Sequence, residues 1–291
     1  MNILSFDIEE WYLRKKKFGT NAHYEDLDQV LDLLLSQLQQ TQQKATFFCL
    51  GQMAVHFPQV LHLIANQGHE IACHSNEHFW CNKISKQELA EDTHRAIDSL
   101  QQCIGKKIRG YRSPAFSIGE KNLYAFDILA QNGIEYDASV FPATRDIGGY
   151  PSFGISTPTI IQTNNHTIKE FPIPITSICG RKMAYSGGGY FRFLPYWYVS
   201  SMIDKKDYIM TYFHIGDLLS APKQLMSKEA YEEYFKEQGT LSNRLKRYVK
   251  SNIGTGDALQ KLTRLINEKQ FINIEQAEGM INWEYAPIKK I

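Results

Sequence analysis

His74 and His78 close the stretch 69–78, separated by three residues. On one helical turn an i, i+4 pair places both imidazoles on one face, close enough to share a metal ion. Taken alone, the pair could equally be two unrelated histidines at a strand-to-helix junction. A partner set stands near the N-terminus, where Asp7, Ile8, Glu9 and Glu10 follow a short apolar segment. In an extended chain side chains alternate, so Asp7 and Glu9 share a face and Ile8 takes the other. A core has no need of two carboxylates there, although a solvated strand end would tolerate them. Two imidazoles and one carboxylate form a three-ligand set that leaves positions open for water and substrate, with zinc the first choice and cobalt or nickel also accepted. Arg112, Asp137 and His214 each end a further apolar segment, and Asp217 follows three residues after His214.

Positioning these side chains falls to an alternation of short apolar runs and amphipathic stretches. Strands are expected at 2–6, 45–51, 70–73, 108–114, 134–140 and 208–214. Between them, helical spacing marks 24–40, with Leu27, Leu31, Leu34 and Leu38 on one face, and 53–66, where Pro58 sits near the start or makes a kink. Ser85 and Glu88 form a capping box ahead of 85–103, and 120–132 stops at Gly133. This rhythm predicts a mainly parallel sheet or a barrel with helices outside, with functional groups gathered at the C-terminal ends of the strands. Between 141 and 190 it breaks. Two β segments, 157–163 and 167–173, suggest a hairpin around Asn164-Asn165, and Gly187-Gly188-Gly189 before Tyr190 reads as a substrate-facing loop or a plain turn. The glycines lack phosphate-loop spacing. After 220 come a basic segment from Lys236 to Lys250, a helix at 257–267 and a strand at 271–274. The basic run is a solvated face or an attraction for an anionic sugar or lipid phosphate.

The 291 residues, 43% hydrophobic and 22% charged, describe a globular chain with ample core. A net charge of +1 gives no case for nucleic acid. No apolar run is long enough to span a membrane, and the acidic N-terminus does not resemble a secretory leader, so a cytoplasmic protein is expected. Five scattered cysteines (Cys49, Cys73, Cys81, Cys103, Cys179) suit reduced thiols.

The motifs His74-Ser75-Asn76-Glu77-His78, Arg112-Ser113-Pro114, Tyr136-Asp137 and Tyr212-Phe213-His214, in this order over residues 3–220, resemble those of the NodB-homology polysaccharide deacetylases, carbohydrate esterase family 4. The part after 220 is similar to a domain that follows the core in exopolysaccharide-type members. The resemblance implies an α/β fold, a distorted (β/α) barrel of about seven parallel strands with helices outside. Residues 1–220 would form the barrel, with an inserted region at about 141–190, and 221–291 a basic helical extension packed on it. Members of the family open with two adjacent aspartates, a general base and a metal ligand. Here Ile8 follows Asp7, so Glu9 is expected to replace the second, with Glu10 as the competitor.

The implied reaction is metal-dependent hydrolysis of the acetamide of an N-acetylated sugar in bacterial surface-polysaccharide biosynthesis. Glu9, His74 and His78 would hold a divalent ion, Asp7 would act as general base and His214 as general acid. Arg112 would pair with Asp7, and Asp137 with His214. The backbone N–H of Ala115 would serve the oxyanion, while Gly188, Gly189 and Tyr190 would meet the sugar, with Tyr185, Phe191 and Trp197 as further stacking candidates. Without an export signal the substrate would be a nucleotide-activated or lipid-linked sugar, the latter with peripheral contact to its carrier. Two alternatives stand beside this: an amidohydrolase acting on a small amide or ureide, and a glycan-binding protein that has lost catalysis.

Overall fold

The computed structural model describes residues 1–178, 180–220, 224–235 and 237–291, so Cys179 and Lys236 lie outside the described residues. Seven short strands lie side by side and parallel, in the spatial order Phe213–His214, Ser5–Ile8, Thr46–Cys49, Glu70–Cys73, Gly110–Tyr111, Tyr136–Asp137 and Thr167–Glu170. Thr159–Gln162 adds antiparallel to the last of these, as the hairpin signal predicts, and Ile288–Lys290 pairs parallel at the outer edge. Helices Glu25–Gln40, Pro58–Asn66, Lys86–Ile104 and Tyr124–Gln131 alternate with the strands. This is the distorted (β/α) arrangement expected, with a hydrogen-bond ladder that stays open at both edges.

Alternation along the strands sorts side chains between two apolar clusters. The outer one joins Phe6, Phe47, Ile71 and Tyr111 to helix residues such as Leu31, Leu61, Leu89 and Phe126. The inner one holds Phe48, Ala72, Tyr136, Phe171 and Tyr212. Covered on both faces, Ser5–Ile8, Thr46–Cys49 and Glu70–Cys73 are buried at every position, as parallel strands require. Asp7 lies in register with Phe48 and Phe48 with Ala72, so the Asp7 carboxylate points to the inner face.

The region after 220 is not uniform. Helix Leu241–Asn252 buries no residue, whereas Ala258–Glu268 places Leu262, Leu265 and Ile266 in the outer core. Helix Ile274–Met280 adds Ile274 and Ala277 to the inner cluster. Its first N–H groups donate to Thr46 Oγ1 (2.8 Å) and Glu70 Oε2 (3.0 Å), at the beginnings of two strands. The helix therefore closes the end of the sheet opposite the strand C-termini. The strand expected at 271–274 is reduced to one bridge between Ile3 and Ile272. Among the described residues no helix is long and apolar enough to cross a membrane.

Other departures have local causes. Pro58 starts its own helix after a break at Phe57, because its ring cannot follow a continuous turn. Helix Glu10–Phe18 buries only Trp11 and Tyr12, too few for a helical period to show. The glycine run is not a loop. Gly187 bridges to Tyr212, the Gly188 N–H donates to the Tyr212 carbonyl at 2.8 Å, and helix Gly188–Phe193 begins there. A Cβ on Gly187 would lie 2.0 Å from that carbonyl oxygen, so only glycine permits the approach. Gly187→Ala is expected to cost about 2–3 kcal/mol. Gly189→Ala, whose Cβ would meet the end of Arg192 at 3.5 Å and the Lys250 carbonyl oxygen at 4.0 Å, should be neutral or gain about 0.5 kcal/mol. Urea unfolding of both variants checks this, and equally small effects would contradict the close-contact reading.

Candidate active site

Each strand that contributes to the site does so at its C-terminal end. Ser5–Ile8 delivers Asp7, and Glu9 follows as the residue before helix Glu10–Phe18. Glu9 thus reaches the site from a strand-to-helix turn, not by alternation within a strand. Glu10, the competitor, turns the other way, and its Oε1 accepts the Gly216 N–H at 2.6 Å. Burial and the charge of Glu9 push the Glu10 carboxyl up to about 7.

His74 and His78 do come together, but not on a helix. Strand Glu70–Cys73 runs into a loop in which Ser75 (φ 73°) and His78 (φ 63°) are left-handed. Two such residues without glycine cost free energy and persist only where the surroundings fix them. The fixing comes from Asp92, buried on helix Lys86–Ile104, whose carboxylate accepts the N–H groups of Asn76 (2.8 Å) and Glu77 (3.2 Å). His74 is held through Nδ1, 2.8 Å from the Arg112 carbonyl oxygen. A carbonyl only accepts, so Nδ1 carries the proton and Nε2 keeps its lone pair.

Glu9, His74 and His78 converge. One ligand atom from each lies within 4.8 Å of the others, and all three residues are buried. Glu9 Oε2 is 2.8 Å from His78 Nε2 and 3.3 Å from His74 Nε2, yet accepts no well-directed hydrogen bond. Burial opposes charge on Glu9, but His78, His214 and His74 outweigh it and hold the carboxyl well below the usual range. An ionised oxygen without a directed donor, facing two imidazole nitrogens, is the donor set of a divalent site with N and O ligands. These residues therefore fit a metal.

Arg112 is fully buried and extends across the inner face. Nη1 donates to Asp7 Oδ1 (2.8 Å), Nη2 to Ser5 Oγ (2.8 Å), and the guanidinium stacks 4.0 Å from the Phe48 ring. His214, in register with Asp7, brings Nε2 to 3.7 Å from both Asp7 Oδ2 and Glu9 Oε1. Its Nδ1 is 3.0 Å from Asp217 Oδ2. Burial acts to depress the imidazole, but Glu9, Asp217 and Asp7 prevail and push it up to about 10.

The expected pairing of Asp137 with His214 is therefore corrected, since Asp217 holds that place. Tyr136 and Ala138 face the inner cluster, so Asp137 between them faces outward with its register partner Tyr111. There Asp137 accepts from Ser139 Oγ (2.6 Å), which in turn accepts the Ser113 N–H (2.7 Å). Asp137 thus props the Arg112-Ser113-Pro114 turn. Neighbouring Glu170 is pushed well above the usual range by burial and by Asp137. Ala115 and Phe116 follow the turn with left-handed backbones, φ 56° and 53°.

The substrate-facing loop is corrected too. Gly188 is buried against Tyr212, Gly189 lies in the same short helix, and Tyr190 packs against both apolar clusters. Tyr185 and Phe191 are core residues, whereas Trp197 is exposed. An aromatic does reach the candidate ligand set, from an unexpected source. Tyr234 of helix Lys228–Phe235 stacks on His78 at 6.5 Å and meets Trp80 edge-on. Nothing in the sequence pattern marks Tyr234, Ser139 or Asp92, but the i, i+3 spacing to His214 marks Asp217.

Comparison with known proteins gives two family matches, Polysaccharide deacetylase over residues 21–137 and Domain of unknown function (DUF3473) over 138–278. The Peptidoglycan-N-acetylglucosamine deacetylase of Bacillus cereus is 33% identical over 90 residues, covering 31% of this chain and 33% of the relative. The uncharacterized protein YlxY of Bacillus subtilis is 32% identical over 90 residues, covering 31% and 28%. The chain thus aligns with about a third of each curated relative. A solved Mycobacterium smegmatis structure, described as a candidate polysaccharide deacetylase, superposes with a TM-score of 0.63 at 16% identity over 99% of this chain and 92% of that one. At that identity the likeness is one of fold.

If Asp217 rather than Asp137 sets the charge of His214, Asp217→Asn should bring the His214 titration down from about 10 toward the ordinary histidine range, while Asp137→Asn leaves it in place. Histidine-resolved NMR titration of the metal-free protein reads both. A raised pKa makes the His214 contribution to stability complete below the ordinary value and lost as pH climbs through about 10.

Proposed function

Because residues 21–137 belong to the polysaccharide deacetylase family, we propose that this protein is a metal-dependent hydrolase removing the acetyl group from an N-acetylated sugar of a bacterial surface polysaccharide. The observation that carries the reading is the joining of the Glu9, His74 and His78 donor set to His214, whose Nε2 lies 3.7 Å from Glu9 Oε1 and 3.7 Å from Asp7 Oδ2.

Glu9, His74 and His78 would hold the ion, with zinc first and cobalt or nickel as substitutes. When bound, such an ion supplies Lewis acidity toward a carbonyl oxygen and toward water. Asp7 keeps one oxygen on Arg112, which leaves Oδ2 facing His214 to take a proton from water. His214 is cationic at neutral pH and presents Nε2, so it can give a proton to the departing amine while Asp217 orients the ring. Asp7 and His214 thus divide base and acid work between adjacent groups. The N–H of Ala115, past the Arg112 turn, remains our candidate oxyanion donor. A small amide or ureide substrate, or a glycan-binding protein without catalysis, finds no separate support in this geometry. We place the enzyme in the cytoplasm, acting on a nucleotide- or lipid-linked sugar precursor.

Acetate release from N-acetylated sugars and lipid-linked glycans, with metal content on the same samples, tests the reading. Asp7→Asn is expected to keep its metal and lose at least about 100-fold in kcat, the usual scale for a general base. His78→Ala should lose both metal and activity. Chelation should abolish acetate release, and zinc should restore it. Full activity in Asp7→Asn or in chelated enzyme would overturn the proposal.

A further inference from the structure

Region 141–190 contributes a cation that the proposed chemistry does not use. Arg145 lies with its guanidinium carbon 4.9 Å from the Phe116 ring and 4.4 Å from the Phe141 ring. Its Nε donates to the Ile147 carbonyl at 3.3 Å. Among the described residues no carboxylate comes within ion-pair distance of it. Asp146, the adjacent acid, is engaged by Lys250 at 2.5 Å and Arg247 at 3.9 Å. Burial and the positive charge of Arg247 both disfavour the charged form of Arg145, while Tyr212, Tyr190 and, more weakly, Asp146 favour it. A half-buried guanidinium without a carboxylate in ion-pair contact, whose adjacent acid is drawn off by Arg247 and Lys250, is an arrangement that an anionic ligand relieves.

The loop holds this cation at a fixed distance from the catalytic groups. Gly149 donates to the Phe116 carbonyl at 2.9 Å and Tyr150 to the Phe141 carbonyl at 2.8 Å. Gly148 (φ +66°) lies so close that a Cβ would fall 2.4 Å from the Ala115 oxygen. The ring that carries Arg145 is also 5.7 Å from the guanidinium carbon of Arg112, the partner of Asp7. Arg112 and Arg145 thus share Phe116, and that ring together with the Arg112 guanidinium connects Arg145 to the proposed base.

We propose that Arg145, with Arg247 beside it, binds an oxyanion carried by the substrate glycan close to the acetamide, either the carboxylate of a uronic acid or a sugar phosphate. The position of the acetamide rests on the deacetylase reading; the anion site does not. Binding to zinc-loaded protein is to be measured by calorimetry, alongside acetate release. The probes are an N-acetylglucosaminyl-glucuronate disaccharide against its methyl ester, and N-acetylglucosamine 1-phosphate against the uncharged methyl glycoside. At least one charged probe is expected to bind about tenfold more tightly than its neutral partner, the scale of a charge-assisted hydrogen bond. Whichever pair shows the larger ratio identifies the source of the oxyanion.

Arg145→Gln should bring that ratio to about one, with Arg145→Lys restoring part of it, as expected of a point charge in place of a guanidinium fork. Arg247→Gln, a change on a separate helix, should reduce it several-fold and guards against misfolding of the first variant. Equal binding of charged and neutral probes, or a preference that survives both Gln variants, overturns the proposal. Charge-selective binding without acetate release leaves the anion site standing and removes the deacetylase reading instead.

Discussion

Glu9 is buried and ionised, with the imidazole nitrogens of His78, His74 and His214 at 2.8, 3.3 and 3.7 Å. Water contributes little to its stability there, so the surrounding groups must compensate its charge. That requirement explains several otherwise separate features. The left-handed backbone at Ser75 and His78 turns the second imidazole inward, and Asp92 holds that loop from behind. The Arg112 carbonyl fixes the tautomer of His74, while the same residue's guanidinium engages Asp7. One arginine therefore connects the metal-ligand candidates to the proposed base through its backbone and its side chain.

The second half of the chain completes what the first half begins. Asp7 and Glu9 lie before the stretch matched as Polysaccharide deacetylase, and His74, His78 and Arg112 within it. His214, Asp217, Tyr234 and Arg145 all fall in the segment matched as a domain of unknown function. Residues 274–280 close the far end of the same sheet. A unit ending near residue 137 would lack the imidazole proposed as general acid and one wall of the inner core.

Much of this was legible from residue types and order. The strand–helix rhythm, the capping box at Ser85 and the mainly parallel sheet follow from local patterns that packing does not override, whereas the number of strands is what the family resemblance implies. Glu9, His74 and His78 were legible as chemistry, though for reasons the structure replaces: a strand-to-helix turn for Glu9 and a left-handed loop for the histidines. The partner of His214 was misread because facing depends on where a strand ends. Asp137 lies on a two-residue strand whose neighbours face inward, which turns its own carboxylate outward. The glycines at 187–189 were misread because composition does not separate flexibility from close approach. Only the Tyr212 carbonyl at 2.0 Å from a Gly187 Cβ distinguishes them. The Tyr234 contact joins residues distant in sequence and leaves no local mark.

Anomalous X-ray diffraction from crystals of the zinc-loaded protein tests the central claim most directly. The account predicts one strong peak about 2.0–2.2 Å from a Glu9 carboxylate oxygen and from the Nε2 atoms of His74 and His78, the bond lengths of zinc to oxygen and nitrogen. A peak elsewhere, or none at full zinc occupancy in solution, would contradict it.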